Sequence, residues 1–192
     1  MKKILLAAVA FVACSVATVS AQSVEWGIKA GLNLSNVTHV DDAKMKPSVN
    51  AGVFANFMVI DDILNIQPEV LYSRQGWKLK EGDVDVYGRL NYLNIPVLAK
   101  LNLIDNLTLD LGPQFGFLLD AKTKAKADGE TVKADIEGAK NFDVSFAMGA
   151  SYRIIPALDV YARYNLGLTK VFDTDGDKIK NSVIQIGVGF WM

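Results

Sequence analysis

The chain lacks most of what would make it an enzyme, a nucleic-acid binder or a helical membrane protein. Its single cysteine, Cys14, lies inside a segment with the pattern of an export leader. The mature protein is therefore expected to carry no thiol and no disulfide, although an oxidising compartment would permit one. One histidine, His39, and no further cysteine leave no Cys/His set with zinc spacing. After the leader, no apolar run reaches the roughly 18 residues that would suggest a membrane-spanning helix. Neither charge dominates: 20 Lys and Arg stand against 21 Asp and Glu. Loss of Lys2 and Lys3 with the leader leaves 18 basic residues against 21 acidic ones, which gives no basic footprint for nucleic acid. No phosphate-cradling glycine loop and no nucleotide motif occurs.

The leader is expected to span residues 1–21. Lys2 and Lys3 precede an apolar run from Ile4 to about Val12, and Val19-Ser20-Ala21 before Gln22 fits a signal-peptidase site. Phe11-Val12-Ala13-Cys14 loosely resembles a lipoprotein site, but a cut there would leave the better site at Ala21 unexplained. Residues 22–192 then form one domain.

That domain holds a contradiction. The chain is 51% hydrophobic yet rich in Gly, Asn and Asp, and a barrel resolves this by placing apolar side chains in lipid rather than in a core. Eight stretches alternate apolar with polar or small residues: 24–35, 48–60, 63–76, 86–101, 107–120, 141–154, 157–171 and 181–192. Each exceeds the roughly 9–11 residues that a tilted transmembrane strand needs. In the fifth, Leu107, Leu109, Leu111, Phe115, Phe117 and Leu119 oppose Thr108, Asp110, Gly112, Gln114 and Gly116. The connections alternate long and short, as in bacterial barrels with long outer loops and short periplasmic turns. The pattern predicts an all-β, eight-stranded antiparallel up-and-down transmembrane β-barrel with both mature termini periplasmic.

The short turns predict register. A turn at Asp61-Asp62 pairs Phe57 with Ile66, Val53 with Val70 and Asn56 with Gln67. A turn centred on Asp105 pairs Leu101 with Leu109 and Lys100 with Asp110. One centred on Pro156 pairs Tyr152 with Val160 and Arg153 with Asp159. Apolar meets apolar in all three hairpins, and a one-residue slip would destroy that.

With the apolar face in lipid, the inward positions include Lys29, Glu69, Lys100, Asp110, Asp143, Arg153, Asp159 and Arg163. Four charges of each sign in a lumen just wide enough for side chains suggest a plugging network, because an unpaired buried charge is costly. A narrow polar channel is the alternative. Lys29, Glu69 and Arg163 are expected near mid-height. Trp26, Tyr152 and Phe190 should face outward near the short-turn end, and Tyr72 nearer the other, as interfacial aromatics.

Three motifs carry a resemblance: Gly27-Ile-Lys-Ala-Gly-Leu-Asn-Leu-Ser-Asn36, Gln67-Pro-Glu-Val-Leu-Tyr-Ser-Arg-Gln-Gly76 and Tyr92-Leu-Asn-Ile-Pro-Val-Leu-Ala-Lys100. In this order they resemble the outer-membrane β-barrel domain family often labelled "porin family protein", across the whole mature chain. The resemblance implies an OmpA- or OmpX-like eight-stranded barrel of the cell envelope and little biochemistry; the porin label does not establish a pore. Unlike OmpA-like proteins, the chain is expected to carry no peptidoglycan-binding domain. Val183 to Met192 resembles a C-terminal barrel-assembly signal, with Gly187 and Phe190 fitting and Met192 in place of a terminal aromatic.

Chemistry is sparse. His39 beside Asp41 and Asp42 could serve a lipid-modifying enzyme, but adjacency in sequence is not hydrogen-bond geometry. Asp173-Thr-Asp-Gly-Asp177 falls short of a calcium loop, with Lys178 where glycine is required and Ile184 at the twelfth position. Lys122, Lys124 and Lys126, followed by Asp128 and Glu130, are expected in the longest loop, at 121–140. The expectation is a non-enzymatic barrel without catalytic residues, metal or cofactor. It has a structural or surface-interaction role, and its partners are outer-membrane lipids, lipopolysaccharide and, during biogenesis, the barrel-assembly machinery.

Overall fold

A computed structural model describes residues 24–37, 44–81, 84–127, 130–135, 140–170 and 180–192. The expected leader at 1–21, His39, Asp41, Asp42 and the Asp173–Asp177 segment lie outside the described residues. Among the described residues ten strands form one sheet: β1 (Val24–Val37), β2 (Lys44–Ile60), β3 (Leu64–Gln75), β4 (Trp77–Glu81), β5 (Val84–Ile104), β6 (Leu107–Ala127), β7 (Glu130–Asp135), β8 (Phe142–Ile155), β9 (Leu158–Gly167) and β10 (Asn181–Trp191). β4 continues β3 beyond Gly76, whose φ of 144° is open to glycine and rarely to other residues. Like β3, it pairs with β2 and β5. β7 and β8 both pair with β6. The ten strands thus make eight staves, all antiparallel, and β1 pairs with β10 from Gly27↔Trp191 to Val37↔Asn181 to close the barrel. No helix among the described residues is long and apolar enough to cross a membrane.

The expected register holds along the ladders. Phe57 faces Ile66 and Val53 faces Val70; Leu101 faces Leu109 and Lys100 faces Asp110; Tyr152 faces Val160 and Arg153 faces Asp159. The turns differ in one detail. Each hairpin shifts register just before its turn, at Met58/Ile60, Asn102/Ile104 and Arg153/Ile155. Val59, Leu103 and Ile154 are the extra residues. The first turn is consequently Asp61 to Ile63 rather than two residues. Asp62 and Asn106 take positive φ, of 60° and 69°, which Asp and Asn tolerate better than most residues.

Two strand lengths correct the sequence reading. β5 and β6 are 21 residues each, and Lys122, Lys124 and Lys126 belong to β6, which turns back as β7. The expected 121–140 loop is therefore partly a strand extension. At about 3.3 Å per residue and about 40° of tilt, such strands rise about 50 Å, twice the height of an apolar band of about 25 Å. The extension stands clear of lipid, so its residues need not alternate apolar with polar.

Outward residues are exposed as a lipid-facing surface would be: Leu32 59%, Ile186 55% and Val53 51%. Trp26, Tyr72, Tyr152 and Phe190 are among them. The inner face is polar but not uniformly. Phe54, Leu71, Leu90, Tyr92, Leu98, Tyr161 and Val183 also point inward and are buried. Where a ring points inward, the facing wall is glycine. A β-carbon on either Gly31 or Gly187, which face each other, would lie 2.7 Å from the Tyr161 hydroxyl.

Candidate functional site: the filled lumen

The lumen is best followed from the short-turn end. There a cavity of about 760 Å³ is lined by, among others, Glu25, Asn65, Lys100, Asn102, Arg153 and Asp159. Arg153 and Asp159 are register partners, but they do not pair as ions. The Arg153 guanidinium lies 3.9 Å over the Trp191 ring and 3.9 Å from the Glu25 carboxylate, while Asp159 accepts from the Trp191 indole N–H at 2.8 Å. Arg153 stays about a third exposed; the expected cross-strand neighbourhood of Arg153 and Asp159 holds, but the two side chains take different partners. The strand end is wide enough for arginine to reach an aromatic face instead.

Above the cavity, Lys100 Nζ lies 3.3 Å from Asp110 Oδ1 and donates to Ser151 Oγ at 3.1 Å. Ser151 in turn donates to Asp110 at 2.5 Å and Thr108 donates to its other oxygen at 2.9 Å. This layer joins β5, β6 and β8.

The centre is a three-residue ion cluster drawn from three strands. Glu69 on β3 receives Lys29 Nζ from β1 at 2.7 Å, and both nitrogens of the Arg163 fork from β9 at 2.9 Å each. Gln67 Nε2 adds a fourth donor at 2.7 Å. The three charged side chains are 0–1% exposed. Lys29 also sits over the rings of Tyr161 and Phe54, at 4.8 and 5.2 Å. A bidentate arginine, a lysine and two aromatic faces give these charges the compensation that enclosure demands.

Toward the long-connection end the plug becomes neutral. Asn50 donates to Asn33 Oδ1 at 2.6 Å, Gln185 donates to the same oxygen at 3.1 Å, and the Tyr161 hydroxyl donates to Asn50 at 2.8 Å. Asn181 donates to Gln75. Asp143, the eighth expected inward charge, accepts from Thr169 at 2.6 Å. The far side is apolar: Leu90 and Tyr92 pack against Trp77, Leu118 and Ala121. The sequence reading missed this cluster.

The eight expected inward charges thus separate into a central triad, one pair with a serine, two residues at the cavity and a lone aspartate near the far end. Among the described residues, no group of three or more His, Cys, Asp or Glu side chains is placed to hold a metal ion.

The model of the outer membrane protein beta-barrel domain matches residues 20–173. The chain belongs to that family. Its fold is similar to Ail, the attachment invasion locus protein of Yersinia pestis, at 15% identity and a TM-score of 0.53, over 89% of this chain and 100% of that one. Neisserial surface protein A is similar at 12% identity and 0.52, over 88% and 99%. A major outer membrane protein from Thermus thermophilus is similar at 11% identity and 0.50, over 89% and 100%. At such identities the likeness is one of fold. No curated protein matches.

Proposed function

We propose that this outer-membrane barrel is a plugged structural element of the envelope, its short turns and both termini periplasmic and its long connections presented outside. The observation that carries the reading is the saturated carboxylate of Glu69. Opening a water path past it would separate a buried anion from two cations, and breaking a buried pair costs about 3–5 kcal/mol. Above and below, the Asn33–Asn50–Gln185 cluster and the Lys100–Asp110–Ser151 layer obstruct the same axis. No catalytic role belongs to this reading, and His39→Ala is expected to leave envelope lipid composition unchanged.

The test is single-channel conductance of the folded protein in a planar bilayer, with Glu69→Gln alongside. Silence from the native barrel supports the plug. Stable steps that change selectivity in Glu69→Gln would favour a second reading, a narrow channel for small solutes, which the polar inner face and the cavity reaching Lys100 support.

A further inference from the structure

The outer wall carries a second charged cluster, unlike anything in the lumen. The outward rows on three adjacent staves are apolar until they reach the long-connection end, where they change abruptly. On β3 the row Val70, Tyr72 gives way to Arg74; on β5 the row Val97, Ile95, Leu93 gives way to Asn91 and Arg89. On β6 the row Pro113, Phe115, Phe117 gives way to Asp120 and Lys122 through a bulge. Tyr92 pairs with Leu118 but Asn91 pairs with Asp120, so Leu119 is the extra residue. Before the bulge the even-numbered residues of β6 face the lumen; after it they face out. A bulge that re-aims side chains in this way puts Asp120 and Lys122 on the wall beside Arg89 and Asn91.

Arg74 pairs with Asn91, Asn91 with Asp120, and Arg89 with Lys122. Asp120 accepts from Lys122 at 2.9 Å, from Asn91 at 3.1 Å and from Arg89 at 3.4 Å. Two cations and an amide share this single carboxylate, and Arg74, opposite Asn91, is a third cation beside them. Arg89 and Lys122 stand directly opposite each other, an arrangement that is unfavourable unless an anion lies between. The Nε atoms of Arg74 and Arg89 and Oδ1 of Asn91 are buried without a hydrogen-bond partner among the described residues. Three cations thus stand against one carboxylate, so positive charge is in surplus, and the Arg89 and Lys122 side chains remain 29% and 43% exposed.

Arg74 lies five residues beyond Glu69, or about 12–13 Å higher at about 3.3 Å per residue and about 40° of tilt. That is the edge of an apolar band about 25 Å tall centred on the triad. The group of two arginines, a lysine and their carboxylate is confined to this sector. At the same end of the other staves the outward residues include the uncharged Leu34, Val49, Phe142, Leu166 and Ser182, and the lysines just beyond them, Lys140, Lys170 and Lys180, stand one to a stave.

We infer that this sector binds the phosphate groups of a phosphorylated outer-leaflet glycolipid of the lipid A type. Arg74 and Arg89 supply guanidinium forks, Lys122 a point charge, and Tyr72, Leu93 and Phe117 below receive acyl chains. A soluble anion would gain nothing from a site at the lipid boundary with an apolar wall beneath it. Two arginines suit phosphate because their planar donor pairs match its oxygens. The inference rests on the proposed orientation, with the long connections outside, and not on whether the lumen is plugged.

The experiment compares the native protein with the Arg74→Gln/Arg89→Gln/Lys122→Gln triple variant in vesicles. The vesicles contain bis-phosphorylated lipid A, dephosphorylated lipid A or phosphatidylglycerol, and inorganic phosphate is titrated at constant ionic strength. The native protein is expected to bind phosphorylated lipid A at least about tenfold more tightly than the triple variant does, a difference of about 1.4 kcal/mol. It should prefer this lipid to both others, with inorganic phosphate failing to displace it. Asp120→Asn, which keeps all three cations, should bind as tightly or more so. Equal binding by the triple variant, equal binding of dephosphorylated lipid A or phosphatidylglycerol, displacement by inorganic phosphate, or weakened binding by Asp120→Asn would each overturn it. Conductance of the same samples reports on the lumen separately, so the two readings fail independently.

Discussion

Glu69 and Asp120 are both carboxylates within reach of two cations, yet one closes a structure and the other leaves it open. Glu69 is enclosed, with its oxygens engaged by Lys29, Arg163 and Gln67 and no exposed charge remaining. Asp120 is about a third exposed, and its neighbours Arg89 and Lys122 are 29% and 43% exposed. Enclosure raises the cost of separating charges, so the inner set behaves as one unit. Solvent and salt weaken the outer set, so its members contribute little to stability and stay free to meet a ligand. The difference lies in the surroundings, not in the residue types.

The contrast breaks most readily at Glu69. Glu69→Gln leaves two buried cations facing a neutral amide and should lower unfolding free energy by about 3–5 kcal/mol. Asp120→Asn should move it by no more than about 0.5 kcal/mol. Denaturant titration of refolded barrels in lipid compares the two, and similar losses would erase the distinction. A charge placed on the lipid face rather than at its edge should cost less than Glu69→Gln but far more than a change at Asp120. Ile186→Lys is expected to cost about 2–4 kcal/mol. Overpacking the inner wall comes next: Gly31→Val drives a side chain into Tyr161 and should cost about 1–3 kcal/mol. The smallest effect separates the clusters by salt. The slight stability change of Lys122→Gln should vanish between about 0.01 M and 1 M salt, where screening length falls from about 30 to about 3 Å. The Glu69→Gln deficit should persist across that range, and its disappearance would mean that the triad is wet.

Most of the barrel could be read from the chain because lipid imposes a strict period of two, as in Phe142 to Tyr152 and Leu158 to Leu168. Short turns then fixed which rows met. What escaped were the places where lipid no longer dictates the pattern. The Lys122–Lys126 segment alternates charged with small residues, which suits a strand projecting into water but resembles a loop. On β5, Leu90, Tyr92, Leu93, Ile95, Val97 and Leu98 are apolar on both faces, so alternation could not show that Leu90, Tyr92 and Leu98 turn inward. The Leu119 bulge inverts the facing of everything after it, and no residue type at that position announces it. The central triad is different: Lys29, Glu69 and Arg163 could each be placed near mid-height by counting along strands, but their mutual contact required the closed ring.

Closure has a cost in time. Along most of the barrel each strand finds its partner close by in the chain, through a turn or one connection. The β1–β10 seam alone joins the two ends, from Val37↔Asn181 to Gly27↔Trp191. Contacts between distant segments form late because the intervening chain must first be ordered. Until that seam shuts, the ribbon has two unpaired edges, which are templates for pairing with other chains. Gly31 faces Gly187 there, while Gly27 faces Trp191 and Gly189 faces Lys29, so no two inward side chains of bulk meet at these pairs, and Tyr161 and Phe54 then lie across the glycines from the neighbouring strands. The seam is thus expected to be the slow step of assembly, with the lifetime of the unclosed ribbon, more than the stability of the finished barrel, setting how much of the chain is lost to aggregation.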